Sequence, residues 1–189
     1  MICSVPAPTN HNDLLGPGPN KSRRLRIEAV ETDTPLCHRD VMARGQRSAQ
    51  QHGWFHLTDR GVDRQDIFID DREHRIFLFE LANAAEQFGV EIHAYCVVTT
   101  HFHLVVNCPE GGLSGFMQRV LQRFAVGHNR RFKREGYVFT GRFRSDPIIM
   151  DDRGDTAAIQ QVCRYVHRNP LDFMPRSQLR AFPWSSYRA

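Results

Sequence analysis

The sequence has no long apolar run. No stretch approaches the roughly 18–20 apolar residues that a helix needs to cross a bilayer. The N-terminus also lacks the continuous apolar core of a secretory leader. A membrane-spanning or exported protein is therefore not expected. Paired cysteine spacing is missing too. The five cysteines (Cys3, Cys37, Cys96, Cys108 and Cys163) are odd in number and form no Cys-x-x-Cys pair. That argues against a disulfide framework or a structural zinc site, and for reduced thiols in a cytoplasmic protein. Acidic residues are nearly absent from one region. Arg119, Arg123, Arg130, Arg131, Lys133, Arg134, Arg142 and Arg144 face only Glu135 within their span, in a chain whose net charge is +4. Phe124, Phe132, Tyr137, Phe139 and Phe143 are interleaved with them. Cations beside aromatic faces are what phosphate contacts and base stacking require, so nucleic-acid binding is expected here. A solvated helix face is the plainer reading of the same charges.

With 189 residues, 41% of them hydrophobic and 24% charged, the chain suits one globular domain with additional termini. Residues 1–50 hold Pro6, Pro8, Pro17 and Pro19 with Gly16 and Gly18, and no periodicity that could bury a face. A disordered extension is expected there, followed by a single domain over 51–189. Met42 is a candidate alternative start within that extension.

Trp54 to Thr58 reads as a first strand. Asp70 or Asp71 caps a helix reaching Phe88, with Gly89 as its stop. Ile92–Val98 and His101–Asn107 read as strands joined at Thr99-Thr100. Their closeness implies an antiparallel hairpin, although neither threonine suits the positive φ of a two-residue turn. Ser114 is the expected cap, and Gly136 the expected end, of a second helix carrying Phe116, Val120, Leu121 and Phe124 on its apolar face. Arg142–Met150 supplies a fourth strand, at an edge or bulged because of Pro147. A third helix begins near Thr156, turns Ile159, Val162 and Val166 inward, and stops before Pro170. The order β-α-β-β-α-β-α is that of an α+β, ferredoxin-like (RRM-like) βαββαβ sandwich with an added C-terminal helix. The first and third strands are central neighbours in that fold.

The chemistry concentrates in two segments. His101 and His103 stand at i and i+2 in a β-branched strand, so both imidazoles share one face while Phe102 and Leu104 share the other. Such a pair can hold a divalent metal, or can simply be two polar residues on a solvated face. Far downstream, Tyr165 and Asn169 lie one helical turn apart and face the same way. If that helix crosses the sheet, Tyr165 approaches a metal on His101 and His103, and Asn169 can add an oxygen ligand. A phenol with a pKa near 10 is a weak nucleophile at neutral pH, and a metal polarising a phosphate offsets that weakness. Imidazole and amide ligands without thiolate favour Mg²⁺ or Mn²⁺. Tyr165 also reads as an amphipathic boundary residue, and Asn169 as a helix-end cap. The other candidate nucleophiles, Tyr95, Tyr137 and Tyr187, have no side-chain amide at i+4 to match Asn169. His128 and His167 read as surface or DNA-contact residues, and Trp184 as core packing.

His101-Phe102-His103 in its apolar strand, with Tyr165-Val166-His167-Arg168-Asn169-Pro170 downstream, resembles the single-tyrosine HUH transposases, and among them the REP-associated tyrosine transposases. Thr58-Asp59-Arg60-Gly61, Arg64-Gln65-Asp66-Ile67-Phe68, His93-Ala94-Tyr95-Cys96, Gly141-Arg142-Phe143-Arg144-Ser145 and Trp184-Ser185-Ser186-Tyr187 carry the likeness across residues 54–189. The resemblance implies a metal-dependent endonuclease and strand transferase acting on single-stranded, hairpin-forming DNA. By motif position His101 and His103 become metal ligands, Asn169 a third, and Tyr165 the nucleophile of a 5′-phosphotyrosine. It implies a monomer or homodimer in the cytoplasm, associated with the nucleoid when bound to DNA. A catalytically silent, hairpin-binding descendant is the alternative. An RNA-binding module would want aromatics where the histidines stand. The chain departs from the family in having Thr99-Thr100 where Pro-Asn is usual. It also has a long N-terminal extension and an end soon after Trp184-Ser185-Ser186-Tyr187, which suggests a lost recognition segment or a degenerate copy.

Overall fold

The computed structural model describes residues 52–150 and 156–188. The expected N-terminal disorder and the Met42 start lie outside these residues. Strands β1 (Gly53–Arg60), β2 (Glu91–Val97), β3 (His101–Cys108) and β4 (Arg144–Pro147) form one antiparallel sheet in the order β2-β3-β1-β4. Helices α1 (Asp71–Phe88), α2 (Leu113–Phe132) and α3 (Ala157–Arg168) complete the order read from the sequence. The fold is the expected α+β sandwich, with β1 and β3 at its centre.

Alternation along the strands sorts the side chains into two layers. Phe55 and Leu57 of β1 and Phe102, Leu104 and Val106 of β3 face α1 and α2, where they meet Phe77, Leu81, Phe116, Val120 and Phe124. The opposite face carries Ala94, Cys96 and Val105 against Ile159 and Val166 of α3. Burying these side chains removes apolar area from water, at about 25 cal/mol per Å². It also leaves His101 and His103 on the α3 side, because they alternate with Phe102 and Leu104.

Local chemistry sets the element ends. Asp70 Oδ1 accepts the Glu73 amide at 3.0 Å, and Gly89 closes α1 in the left-handed region at φ 61°. Helix α2 starts earlier than Ser114 because Gly111 and Gly112, at φ 88° and 82°, turn the chain into it first. It ends at Phe132 rather than near Gly136, since Lys133 takes the left-handed cap at φ 51°. The β2–β3 connection is Val98–Thr100, one residue longer than Thr99-Thr100 alone. Val98 N–H donates to His101 O at 3.0 Å, and none of the three residues needs positive φ. Strand β4 is shorter than expected. It lies at the sheet edge and ends on Pro147, which has no amide to offer a neighbour.

The C-terminal segment covers the outer edge of β2. Val97 N–H donates to Trp184 O at 2.9 Å, and Ser186 Oγ accepts the Tyr95 amide at 2.9 Å. Trp184 packs on the core as expected and stacks on His74 at 4.5 Å between centroids. No helix among the described residues is long and apolar enough to cross a membrane.

Candidate active site

The sheet face under α3 opens into a cleft of about 650 Å³. Its floor is His101 and His103 from β3 with Thr58 from β1, and Tyr165 and Asn169 form one wall. Asp59, Thr100, Thr140 and Asp172 line the rest together with Arg60, Arg64, Arg142 and Arg144. The two segments singled out in the sequence, about sixty residues apart, therefore meet in one place.

His103 is 8% exposed, and its pKa is pushed down to about 3, chiefly by burial and then by His101 and His56 beside it. Burial likewise lowers His101, with Asn169 partly offsetting the effect. His103 is therefore neutral at pH 7, and burial moves His101 toward the same form, the one in which imidazole binds a metal. His101 Nε2 lies 3.4 Å from Asn169 Oδ1, long for a hydrogen bond, and Asn169 Nδ2 is buried without a partner. The unused capacity of this amide is its N–H donors, while its oxygen is the atom that faces His101. No group of three or more His, Cys, Asp or Glu among the described residues could hold a metal. His101, His103 and Asn169 meet in this cleft, which Asp59 and Asp172 also line.

Tyr165 is 57% exposed. Its ring stands edge-on to His103 at 5.6 Å and to His56 at 5.8 Å between centroids. Its hydroxyl has no hydrogen-bond partner among the described residues, which leaves it open to a substrate. Tyr95 is buried, whereas Tyr137 and Tyr187 are outside the cleft lining.

The cationic residues of the basic block fall into two places. Arg142 and Arg144 line the cleft, Arg144 being tied to Asp146 at 2.8 Å. Arg119, Arg123, Arg130 and Arg131 project from α2, in the layer across the sheet, and Lys133 and Arg134 follow it. Arg123 pairs with Glu80 at 3.7 Å and Arg134 Nη2 donates to Gln65 at 2.8 Å. Arg131 is held by Asp70 and Glu73 at the α1–α2 seam. The interleaved aromatics are mostly core: Phe124, Phe139 and Phe143 are buried, while Tyr137 stands out at 84% exposure.

His128 is not a surface residue. It is 1% exposed, and its Nδ1 lies 2.9 Å from Glu73 Oε2. His167 is half-buried, 2.8 Å from Ser186 Oγ, so it joins α3 to the C-terminal segment. The sequence alone assigned His56, Arg60 and Arg64 no role in this site. His56 had a legible signal. Trp54, His56 and Thr58 alternate on β1, and β1 neighbours β3, so His56 had to share the face of His101 and His103. Arg60 and Arg64 flank Gly61, whose amide donates to Thr100 O at 2.9 Å and brings that loop to the cleft rim.

The βαββαβ sheet thus presents two histidines and a tyrosine to one cleft with arginines at its rim. The chain belongs to the IS200-like transposase family, whose profile, described as Transposase IS200 like, matches residues 49–169. Among solved structures it is similar to a REP-associated tyrosine transposase bound to a REP hairpin, at TM-score 0.62 and 16% identity, covering 78% of this chain and 84% of the other. It also matches a protein from Deinococcus radiodurans R1 assigned as a transposase, at TM-score 0.44 and 19% identity, over 66% of this chain and 97% of that one. No curated protein matches.

Proposed function

We propose that this transposase-family protein is a divalent-metal-dependent endonuclease and strand transferase of single-stranded, hairpin-forming DNA. The observation that carries the reading is the meeting of Tyr165 and Asn169 with His101 and His103 in one arginine-lined cleft. The solved relative's REP hairpin is consistent with this class of substrate.

Arg60, Arg64 and Arg142, none with an ion-pair partner among the described residues, hold backbone phosphates at the cleft rim. His101, His103 and Asn169 hold Mg²⁺ or Mn²⁺. Bound there, the ion polarises the scissile phosphate and neutralises charge developing on it. Tyr165 Oη attacks phosphorus as the bond from phosphorus to the 3′-oxygen breaks. The phenol loses a proton and the departing 3′-oxygen gains one, so charge balances. The result is a 5′-phosphotyrosine and a free 3′-hydroxyl, and the energy of the diester is retained for a later strand to use. The reaction would take place in the cytoplasm on chromosomal DNA, which agrees with the free thiols at Cys96, Cys108 and Cys163.

The test is a denaturation-resistant protein–DNA adduct on labelled hairpin DNA drawn from the flanks of the protein's own gene, with Mn²⁺. Tyr165→Phe and EDTA should each abolish the adduct, while Tyr165→Phe keeps hairpin affinity. An adduct that survives Tyr165→Phe would refute the nucleophile. Hairpin binding with no adduct under any metal condition would leave a binding protein without strand transfer.

A further inference from the structure

An imidazole binds a metal only through a nitrogen that carries no proton, so the ring's proton must sit on its other nitrogen. In both histidines of the cleft that other nitrogen is already engaged. Thr100 Oγ1 lies 2.9 Å from His101 Nδ1, and His56 Nε2 lies 3.0 Å from His103 Nδ1. The His56 and His103 rings are within 9° of parallel, and centroids 5.2 Å apart with facing nitrogens at 3.0 Å set the contact edge to edge. The remaining Nε2 of His101 points at Asn169.

We propose that Thr100 and His56 are positioning residues that fix His101 and His103 as their Nδ1–H tautomers and keep both Nε2 atoms free for a divalent cation. His101 Nδ1–H donates to Thr100 Oγ1, and His103 Nδ1–H donates to His56 Nε2. The proton of His56 then resides on its own Nδ1. This inference rests on the metal-centre reading above.

Both supports are themselves held. Thr100 O accepts the Gly61 amide at 2.9 Å, so the turn cannot carry the hydroxyl away without breaking that bond. His56 sits opposite Val105 in the β1–β3 register, diagonal to His103, whose partner is Thr58. The arrangement also accounts for the unusual Thr99-Thr100 ahead of the first histidine. A threonine hydroxyl can accept the imidazole proton from that position without a Pro-Asn turn. Partners of this kind commonly change metal affinity about 10–100-fold when removed.

The experiment is a Mn²⁺ titration of the full chain without DNA, with free Mn²⁺ read by electron paramagnetic resonance. Thr100→Val and His56→Leu should each weaken Mn²⁺ binding about 10–100-fold. Thr100→Ser, which keeps the hydroxyl, and His56→Gln, whose amide oxygen can accept in place of the ring nitrogen, should stay within about threefold of the parent, the lower bound of such effects being tenfold. Long-range nitrogen–proton correlation on the Mg²⁺-loaded protein should show Nδ1–H at His101 and His103, and Nε2–H there would overturn the proposal. Parent-like affinity in Thr100→Val and His56→Leu would overturn it too. So would equal losses in the conservative and non-conservative variants, which would mark a packing role. Should the parent and His101→Ala bind Mn²⁺ equally, the metal centre itself falls, and this inference with it.

Discussion

Asp59 shows how a single side chain registers its surroundings. It is 6% exposed, with Oδ1 accepting from the Arg60 amide at 2.8 Å and from Thr140 Oγ1 at 3.3 Å, while Oδ2 is buried without a partner. Burial outweighs those hydrogen bonds and raises its pKa from 3.8 to about 6. An acid whose folded pKa lies above its unfolded value binds its proton more tightly when folded. Its contribution to stability is therefore greatest below pH 3.8 and declines as pH rises to about 6. Asp59→Asn should accordingly stabilise the protein by about 1–2 kcal/mol at pH 8 and by little at pH 4. Thermal unfolding of both proteins at the two pH values reads this directly, and a difference independent of pH would contradict it. His103 is the complementary case. Its location beside two other imidazoles was legible in strand alternation, but the engagement of its Nδ1 by His56 depends on β1–β3 register and on rotamers that no sequence pattern specifies.

At the scale of elements, helices α1 and α2 are joined by a buried charge network as well as by apolar packing. Glu73 is 1% exposed and receives His128 Nδ1 at 2.9 Å and Arg131 Nη1 at 2.6 Å. Burial opposes its ionisation, but the bonds from His128 and Arg131 outweigh that and lower its pKa. Removing one member strands the others, so Glu73→Ala should cost about 3–5 kcal/mol in urea unfolding. A loss below 1 kcal/mol would mean that water reaches the seam (an exposed pair contributes roughly that much). The loop after β1 is constrained by space. A Cβ on Gly61 would lie 2.3 Å from Gln65 O and 2.9 Å from Ile67 Cγ2. Gly61→Ala should therefore destabilise by about 1–3 kcal/mol and shift the Arg60–Arg64 rim with it, visible as weaker hairpin binding in a variant that still folds.

For the whole molecule, the sheet divides the basic block of Arg119–Arg144 between its two faces. Arg142 joins Arg60 and Arg64 at the cleft, while Arg119 and Arg130 lie in the layer beyond it. Reversing both Arg60 and Arg142 to Glu should lower hairpin affinity and reduce the slope of log K against log salt by about 2. Arg119→Glu with Arg130→Glu should change that slope less, and an equal or larger change would move the DNA path to the helical layer. Arg131 is unsuited to such a test, because its reversal would break the Asp70 and Glu73 contacts first.

The sequence by itself determined whatever follows from short-range periodicity. Strand alternation put His101 and His103 on one face, helical spacing put Tyr165 beside Asn169, and element order predicted a sheet with β1 and β3 at its centre. Pro147 marked an edge, and Gly89 a helix end. Tertiary structure alone decided which charges reach the cleft and which serve the α1–α2 seam, that His128 is buried, and that His167 and Ser186 tie α3 to the covered edge of β2. The physical reason is range. Alternation and helical pitch are local properties of the backbone, whereas a hydrogen bond between residues such as His56 and His103 exists only after register and packing have brought distant strands together.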